Sequence, residues 1–331
     1  MTELYKKILS RLADGRASRL SSHYDKAGIR RTLIEDDAIH QEGGLTFETA
    51  ADTLTLTERF APRPRLLILG GGHIAVPLCQ FGKLLGFDVW LYDDRPGFAN
   101  TARFPDAHTV ICDDFSNMRA RLNLRQGDYL TVLTRGHKHD IFCLETLLSD
   151  GGDIPQYIGM IGSKRRIAIV KEEVAAKTGR ADLLDKLYAP IGLAIGSVTP
   201  EEIALSILAE IVKIKRLGPD GTRQKMPQEG SVDPDLLRFL ADTADEPTAL
   251  ITIVSTAGST PRETGAKMAV TLSGKVIGSI GGGCAEAEVV TRARDILDKG
   301  GWHLMEVDLA ESAADEGMVC GGRMQVLVEA L

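Results

Sequence analysis

Residues Arg65–Ala75 read RLLILGGGHIA. A short apolar run breaks into three glycines and then opens a helical pattern. An unbroken run this short is what a strand buried on both faces of a parallel sheet looks like. Glycines let the backbone turn tightly and approach a phosphate, and the start of a helix attracts anions. Gly70, Gly72 and Ala75 fit the spacing G-x-G-x-x-A. Working outward, Ile74–Leu85 continues as a helix. FDVWLYDD, HTVIC, DYLTVLT and QYIGMIG then read as further strands with helical segments between them. This alternation predicts a Rossmann-like, doubly wound parallel sheet. The block closes with VTPEEIALSILAEIVKIKR. There Thr199 is a helix N-cap, Pro200 fits the first helical position and Glu202 completes a capping box. Ile203, Ala204, Ile207, Leu208 and Ile211 form its apolar stripe.

Two other blocks flank this one. Residues 1–60 begin with a helix, Thr2–Ala13, followed by β-like pieces such as Arg31–Ile34 and Thr53–Thr57, and carry no assignable motif. Residues 217–234, rich in Gly, Pro and charge, have linker composition. Residues 235–331 begin with a helix, Leu236–Ala241, and a strand, ALITIVST. KMAVTL and KVIGSI flank Ser273-Gly274 as a hairpin. A helix over Ala285–Lys299 stops at Gly300, and HLMEVDL and MQVLVEA alternate like half-buried strands. The expected fold is α/β, with a Rossmann-like domain over 61–216 and a smaller α/β cysteine-containing domain over 235–331.

Composition excludes several classes. The 331 residues are 44% apolar and 26% charged, an ordinary globular balance. A net charge of -7 argues against nucleic acid or an anionic membrane as partner. No apolar run approaches the roughly 18–20 residues of a membrane span. The segment MTELYKKILSRL lacks the apolar stretch of a signal peptide, so a cytoplasmic location is expected. Five cysteines without ligand spacing argue against structural zinc. Cys79, Cys112 and Cys143 sit in apolar patterns and read as small buried hydrophobes. Cys284 and Cys320 each abut glycines.

Five segments carry candidate chemistry. Asp93 lies about 20 residues beyond the glycine turn, where a ribose hydroxyl is held in dinucleotide folds, and His73 offers a polar contact. The plainer reading is a tight turn without a nucleotide. Thr134–Asp140, TRGHKHD, follows the fourth strand and faces the same edge. Gly162, Ser163 and Lys164, with Arg165 and Arg166, suit a phosphate or form a solvated basic turn. In Gly258–Lys267, Arg262 and Lys267 are candidate contacts to an anion, against an ordinary loop. Finally, VIGSIGGGCAEAEVV over Val276–Val290 runs Gly281, Gly282 and Gly283 into Cys284. A helix start favours the thiolate, the nucleophilic and metal-binding form. Glu286 supplies a carboxylate nearby. Cys320, beside Gly321 and Gly322, is a second thiol that a shared cleft would bring alongside. The alternative is a strand–helix turn whose small residue happens to be cysteine.

Together GGGHIA, LYDDRP, YIGMIGSKRR, APIGLAIGSVTPEEIALSILAEI, GSTPRETGAKM, GSIGGGCAEAEV and CGGRMQVLVE resemble the XdhC/CoxI family. Its members are accessory proteins of xanthine dehydrogenase and related molybdenum hydroxylases, and the resemblance covers about residues 60–331. The usual family order places the cysteine domain before the Rossmann-like one; here the order is permuted. The resemblance implies a cofactor chaperone rather than an enzyme. It would bind molybdenum cofactor (molybdopterin), protect it during sulfuration and hand it to a molybdenum hydroxylase apo-enzyme. A cysteine desulfurase is the second implied partner. Cys284, as ligand to the cofactor's metal, with Glu286, Arg262, Lys267 and Gly281–Gly283, match the motif. Thiolates favour soft metals, which agrees with that chemistry. Two other readings rest on the residues alone. One is an NAD(P)-dependent oxidoreductase using the glycine turn and Asp93. The other is a thiol redox or sulfur-transfer protein using Cys284 and Cys320. A homodimer is the commonest oligomer for a soluble chain.

Overall fold

The computed structural model describes all residues except 37–43, 51, 150–152, 218–232, 243–245, 282–283 and 310–321, and the side chains of 36, 284 and 285. The chain begins with α1 (Thr2–Ala13), then β1 (Ala17–Asp25), β2 (Gly28–Asp36), β3 (Leu45–Ala50) and β4 (Thr53–Phe60). The middle segment holds β5 (Arg65–Leu69), α2 (Ala75–Leu84), β6 (Asp88–Asp93), β7 (Thr109–Cys112), α3 (Met118–Leu122), β8 (Tyr129–Val132), α4 (His137–Leu148), β9 (Tyr157–Met160), α5 (Lys164–Thr178), α6 (Ala181–Leu184) and α7 (Pro200–Leu217). The last segment holds α8 (Pro234–Asp242), β10 (Thr248–Ala257), β11 (Lys267–Thr271), β12 (Val276–Gly278), α9 (Cys284–Lys299), β13 (Trp302–Asp308) and β14 (Arg323–Ala330).

These segments form two compact units, Arg63–Gln224 and Met1–Pro62 with Lys225–Leu331. Residues 1–60, read as a block apart from 235–331, thus share a unit with them.

In the middle unit the five strands are all parallel, in the order β7-β6-β5-β8-β9. Every residue of β5 and β8 is buried, as strands covered on both faces require. One apolar cluster joins Leu67, Leu69, Leu144, Val170 and Val174 on one side of the sheet. Another joins Leu66, Ile68, Leu78, Ala204, Ile207 and Ile211 on the other. Cys79 and Cys143 are buried as expected, whereas Cys112, at the end of the edge strand β7, is exposed. The α7 capping box is present: Glu202 N donates to Thr199 Oγ1 at 3.3 Å, and Thr199 N donates to Glu202 Oε2 at 3.0 Å. Such a cap contributes about 1 kcal/mol. The helix α4 starts at His137, inside the TRGHKHD segment, with Gly136 as its N-cap.

The other unit stacks two antiparallel sheets. The first has the order β2-β1-β4-β3 and the second β12-β11-β10-β14-β13. The alternating burial of β1 and β4 turns Leu20, Tyr24, Leu54, Leu56 and Phe60 inward. Tyr24, Leu54 and Leu56 pack against Val254 and Leu327 of the second sheet. Its other face presents Ile251, Ile253, Val326 and Val328 to Val289 and Ala293 of α9. This explains the unbroken buried runs in β10 and β14. MQVLVEA, expected to be half-buried, is buried on both faces over Val326–Glu329. Tyr5 and Ile8 of α1 close one end with Leu236, Leu237 and Leu240 of α8.

Candidate functional site

In the middle unit the carboxyl ends of the parallel strands gather the expected turn residues. Gly70 has φ +110°, and a Cβ there would lie 2.5 Å from the Leu133 carbonyl oxygen. At Gly71 it would lie 2.2 Å from the carbonyl oxygen of Phe98. The first two glycines are therefore dictated by packing. Gly72 differs, because a Cβ there meets nothing within 4 Å. His73 is exposed and Ala75 is fully buried.

Asp93, expected to hold a ribose, is 1% exposed and already engaged. It accepts hydrogen bonds from Gly71 N at 2.8 Å, Arg95 N at 3.0 Å, Arg95 Nε at 2.8 Å and Arg95 Nη2 at 2.8 Å. A carboxylate has about four acceptor positions, so a ribose hydroxyl would have to displace one of these donors. The Arg95 guanidinium lies 3.7 Å from the Phe98 ring centroid, and Arg103 Nε donates to Gly71 O at 3.2 Å.

Beside it, Arg135 makes a two-pronged ion pair with Asp94, through Nη1 at 2.5 Å and Nη2 at 2.9 Å. The guanidinium holds the Asp94 carboxyl down at about 2. Sequence reasoning missed this pair, whose partners are 41 residues apart. It also missed the role of Asp140, which is fully buried. Asp140 accepts from Thr134 Oγ1 at 2.6 Å and from Arg166 Nε at 2.7 Å. Burial pushes its carboxyl up. Arg166 thus ties the start of α5 to the β8 loop. Ser163 caps α5, its hydroxyl accepting from Arg166 N at 3.3 Å, while Lys164 and Arg165 are exposed. Gly162 packs beside the Arg166 stem.

In the other unit, two glycine-bearing motifs close on one loop. Gly281 has φ +138°, and a Cβ there would lie 2.4 Å from Pro261 Cγ. A Cβ on Gly322 would lie 2.3 Å from Ser259 O. The residues flanking Cys284 and Cys320 therefore both close on Ser259–Pro261. Cys284 opens α9, but its side chain, Gly282, Gly283 and Cys320 lie outside the described residues. Glu286 braces the turn: its Oε1 accepts from Ser279 Oγ at 2.7 Å, Ile280 N at 3.0 Å and Gly281 N at 3.1 Å.

The two cations expected to meet an anion here have different settings. Arg262 is exposed, on the loop that both glycine flanks touch. Lys267 is not at the surface, and this corrects the expectation. Its side chain is 1% exposed, and Nζ pairs with Glu58 Oε1 at 2.6 Å and donates to Thr252 Oγ1 at 2.7 Å. Among the described residues, no group of three or more His, Cys, Asp or Glu side chains could hold a metal ion.

Fold and turns define an open α/β unit of the Rossmann type, joined to an antiparallel unit in which Gly281 and Gly322 close on the Ser259–Pro261 loop. The sequence pattern of the XdhC Rossmann domain matches residues 66–211, and that of the XdhC and CoxI family matches residues 241–308. The chain belongs to the XdhC/CoxI family, with the Rossmann domain ahead of the cysteine-bearing one. It is similar to a probable xanthine dehydrogenase subunit of Bacillus subtilis, 32% identical over 159 residues, 48% of this chain and 45% of that protein. It is also similar to "Uncharacterized protein YqeB" of Escherichia coli, 29% identical over 164 residues, 49% of this chain and 29% of that protein. The matches thus span less than half of either relative. A crystal structure described as a xanthine dehydrogenase from Bacillus halodurans is similar at TM-score 0.52 and 27% identity, over 64% of this chain and 63% of that one. Among the described residues, no helix is long and apolar enough to cross a membrane.

Proposed function

We propose that this chain is an accessory factor for a molybdenum hydroxylase, binding molybdenum cofactor at the cysteine turn and delivering it after sulfuration. The supporting observation is the convergence of Gly281 and Gly322 on Ser259–Pro261. Motifs carrying the two thiols share one loop, and only glycine fits at either contact. The residues suit an anionic, sulfur-rich pterin in one further respect. The Arg262 guanidinium has no partner among the described residues and is free to meet a phosphate. Bound there, the cofactor would contribute its molybdenum and terminal ligands. The chain's own residues hold and shield it. Glu286 fixes the turn, so its part is positioning. An apo-hydroxylase and a cysteine desulfurase are the partners this reading requires.

The test is molybdenum and pterin content per protomer for wild type and Cys284→Ser, with thermal unfolding as the folding control. Cofactor content should fall sharply at unchanged unfolding temperature. Wild-type content in Cys284→Ser, with full activation of the hydroxylase, would leave the thiol a structural residue.

A further inference from the structure

The glycine turn, the parallel sheet and an acid at the end of the second strand together imply an NAD-type dinucleotide. In that arrangement the acid accepts hydrogen bonds from the adenosine ribose, and the ligand lies in the crevice where strand order reverses. Three observations oppose this. Asp93 has no acceptor position left, because Arg95 grips it through three N–H groups and Gly71 through a fourth. Arg95 is itself held against the Phe98 ring at 3.7 Å, so the grip is braced from outside. The third observation is the Arg135–Asp94 pair. Asp94 follows β6 and Arg135 follows β8, and these strands flank β5 on opposite sides. Neighbouring strands lie about 4.8 Å apart, so the pair joins groups rooted roughly 10 Å from one another, across the end of β5 where the glycine turn leaves it.

We infer that Arg95 and Arg135 are specificity-determining residues that exclude an NAD-type dinucleotide from this crevice, one by saturating the ribose acceptor and the other by bridging the strands that bound it. The exclusion is local to the Rossmann-type unit and is independent of cofactor binding at the cysteine turn. Charge alone is not the device. Arg95 and Arg135 each make a planar, two-pronged contact that lysine cannot reproduce.

The experiment is calorimetric titration of the full chain with NAD+. Wild type should show no binding at millimolar ligand. Arg95→Ala/Arg135→Ala should gain affinity at least tenfold, and adding Asp93→Asn should remove that gain. Arg95→Lys, which keeps the charge and loses the fork, should gain part of it. Thermal unfolding reports whether each variant is folded. Micromolar NAD+ binding by wild type overturns the inference. So does a folded double variant, or a folded Arg95→Lys should the double not fold, that binds no better than wild type.

Discussion

Lys267 Nζ and Glu58 Oε1 lie 2.6 Å apart with both side chains buried, so an ion pair joins strands from opposite ends of the chain. A second pair, Arg31 with Glu329, joins the same two sheets. Neither pair is at the surface, where ion pairs contribute little. Buried charges are costly to strand, because the remaining partner keeps its desolvation without its attraction.

Lys267→Ala is therefore expected to destabilise the sheet-on-sheet unit by about 3–5 kcal/mol, since it leaves Glu58 unpaired. Replacing both partners, as Lys267→Met/Glu58→Leu, should recover most of the loss. Chemical denaturation of the three proteins measures this. A double variant no better than the single one would refute the pairing as the cause.

Removing residues 1–62 should uncover Val254 and Leu327 and leave both Lys267 and Glu329 without their acid or base. Limited proteolysis of that truncation should spare a fragment near Arg63–Gln224 and degrade the C-terminal part. A protease-resistant fragment covering Lys225–Leu331 would show that the second sheet does not need the first.

The three glycines of the turn are not equivalent. Gly71→Ala sets a methyl 2.2 Å from a backbone oxygen and should cost about 1–3 kcal/mol, the scale of overpacking. Gly72→Ala, with nothing within 4 Å, should stay within about 0.5 kcal/mol. Thermal unfolding of the two variants decides it, and equal losses would mean that the turn is packed differently.

The Asp94–Arg135 pair predicts an acid-side dependence. The Asp94 carboxyl falls from 3.8 to about 2 on pairing. A depressed carboxyl adds stability above its unfolded value and loses it as pH drops through the folded one. Stability curves of wild type and Arg135→Ala should therefore differ at neutral pH and converge between pH 3.8 and about 2. The difference should shrink in salt, because the pair is partly solvated. Parallel curves down to pH 2 would rule out the coupling.

The parallel sheet was legible because its signal is local. Apolar runs, glycines and a capping box each lie within a few residues of the structure they specify. The first sheet was not, because its inward face alternates like any half-buried hairpin and nothing nearby says what covers it. Lys267 shows the same limit. In KMAVTL it reads as a polar strand end, and only Glu58, from the other end of the chain, makes it a core residue. Asp93 shows a different limit. Its spacing from the turn fits a ribose acceptor, yet Arg95 two positions on takes the oxygens that the spacing assigns to a ligand. The convergence of Gly281 and Gly322 on Ser259–Pro261 could not be read from spacing, although every residue involved stands out as part of an isolated motif.

The division of one unit between the two ends of the chain also has a consequence in time. Synthesis completes β4 at Phe60 long before β10 begins at Thr248. At about 5–20 residues per second, the four-stranded sheet waits roughly 10–40 s for the surface that will cover Tyr24, Leu54 and Leu56. Throughout that interval the Rossmann-type unit can fold on its own strands while an apolar sheet stays open beside the ribosome. The nascent chain is then a natural client for a holdase, and its yield in the cell will depend on how quickly translation carries it past Thr248.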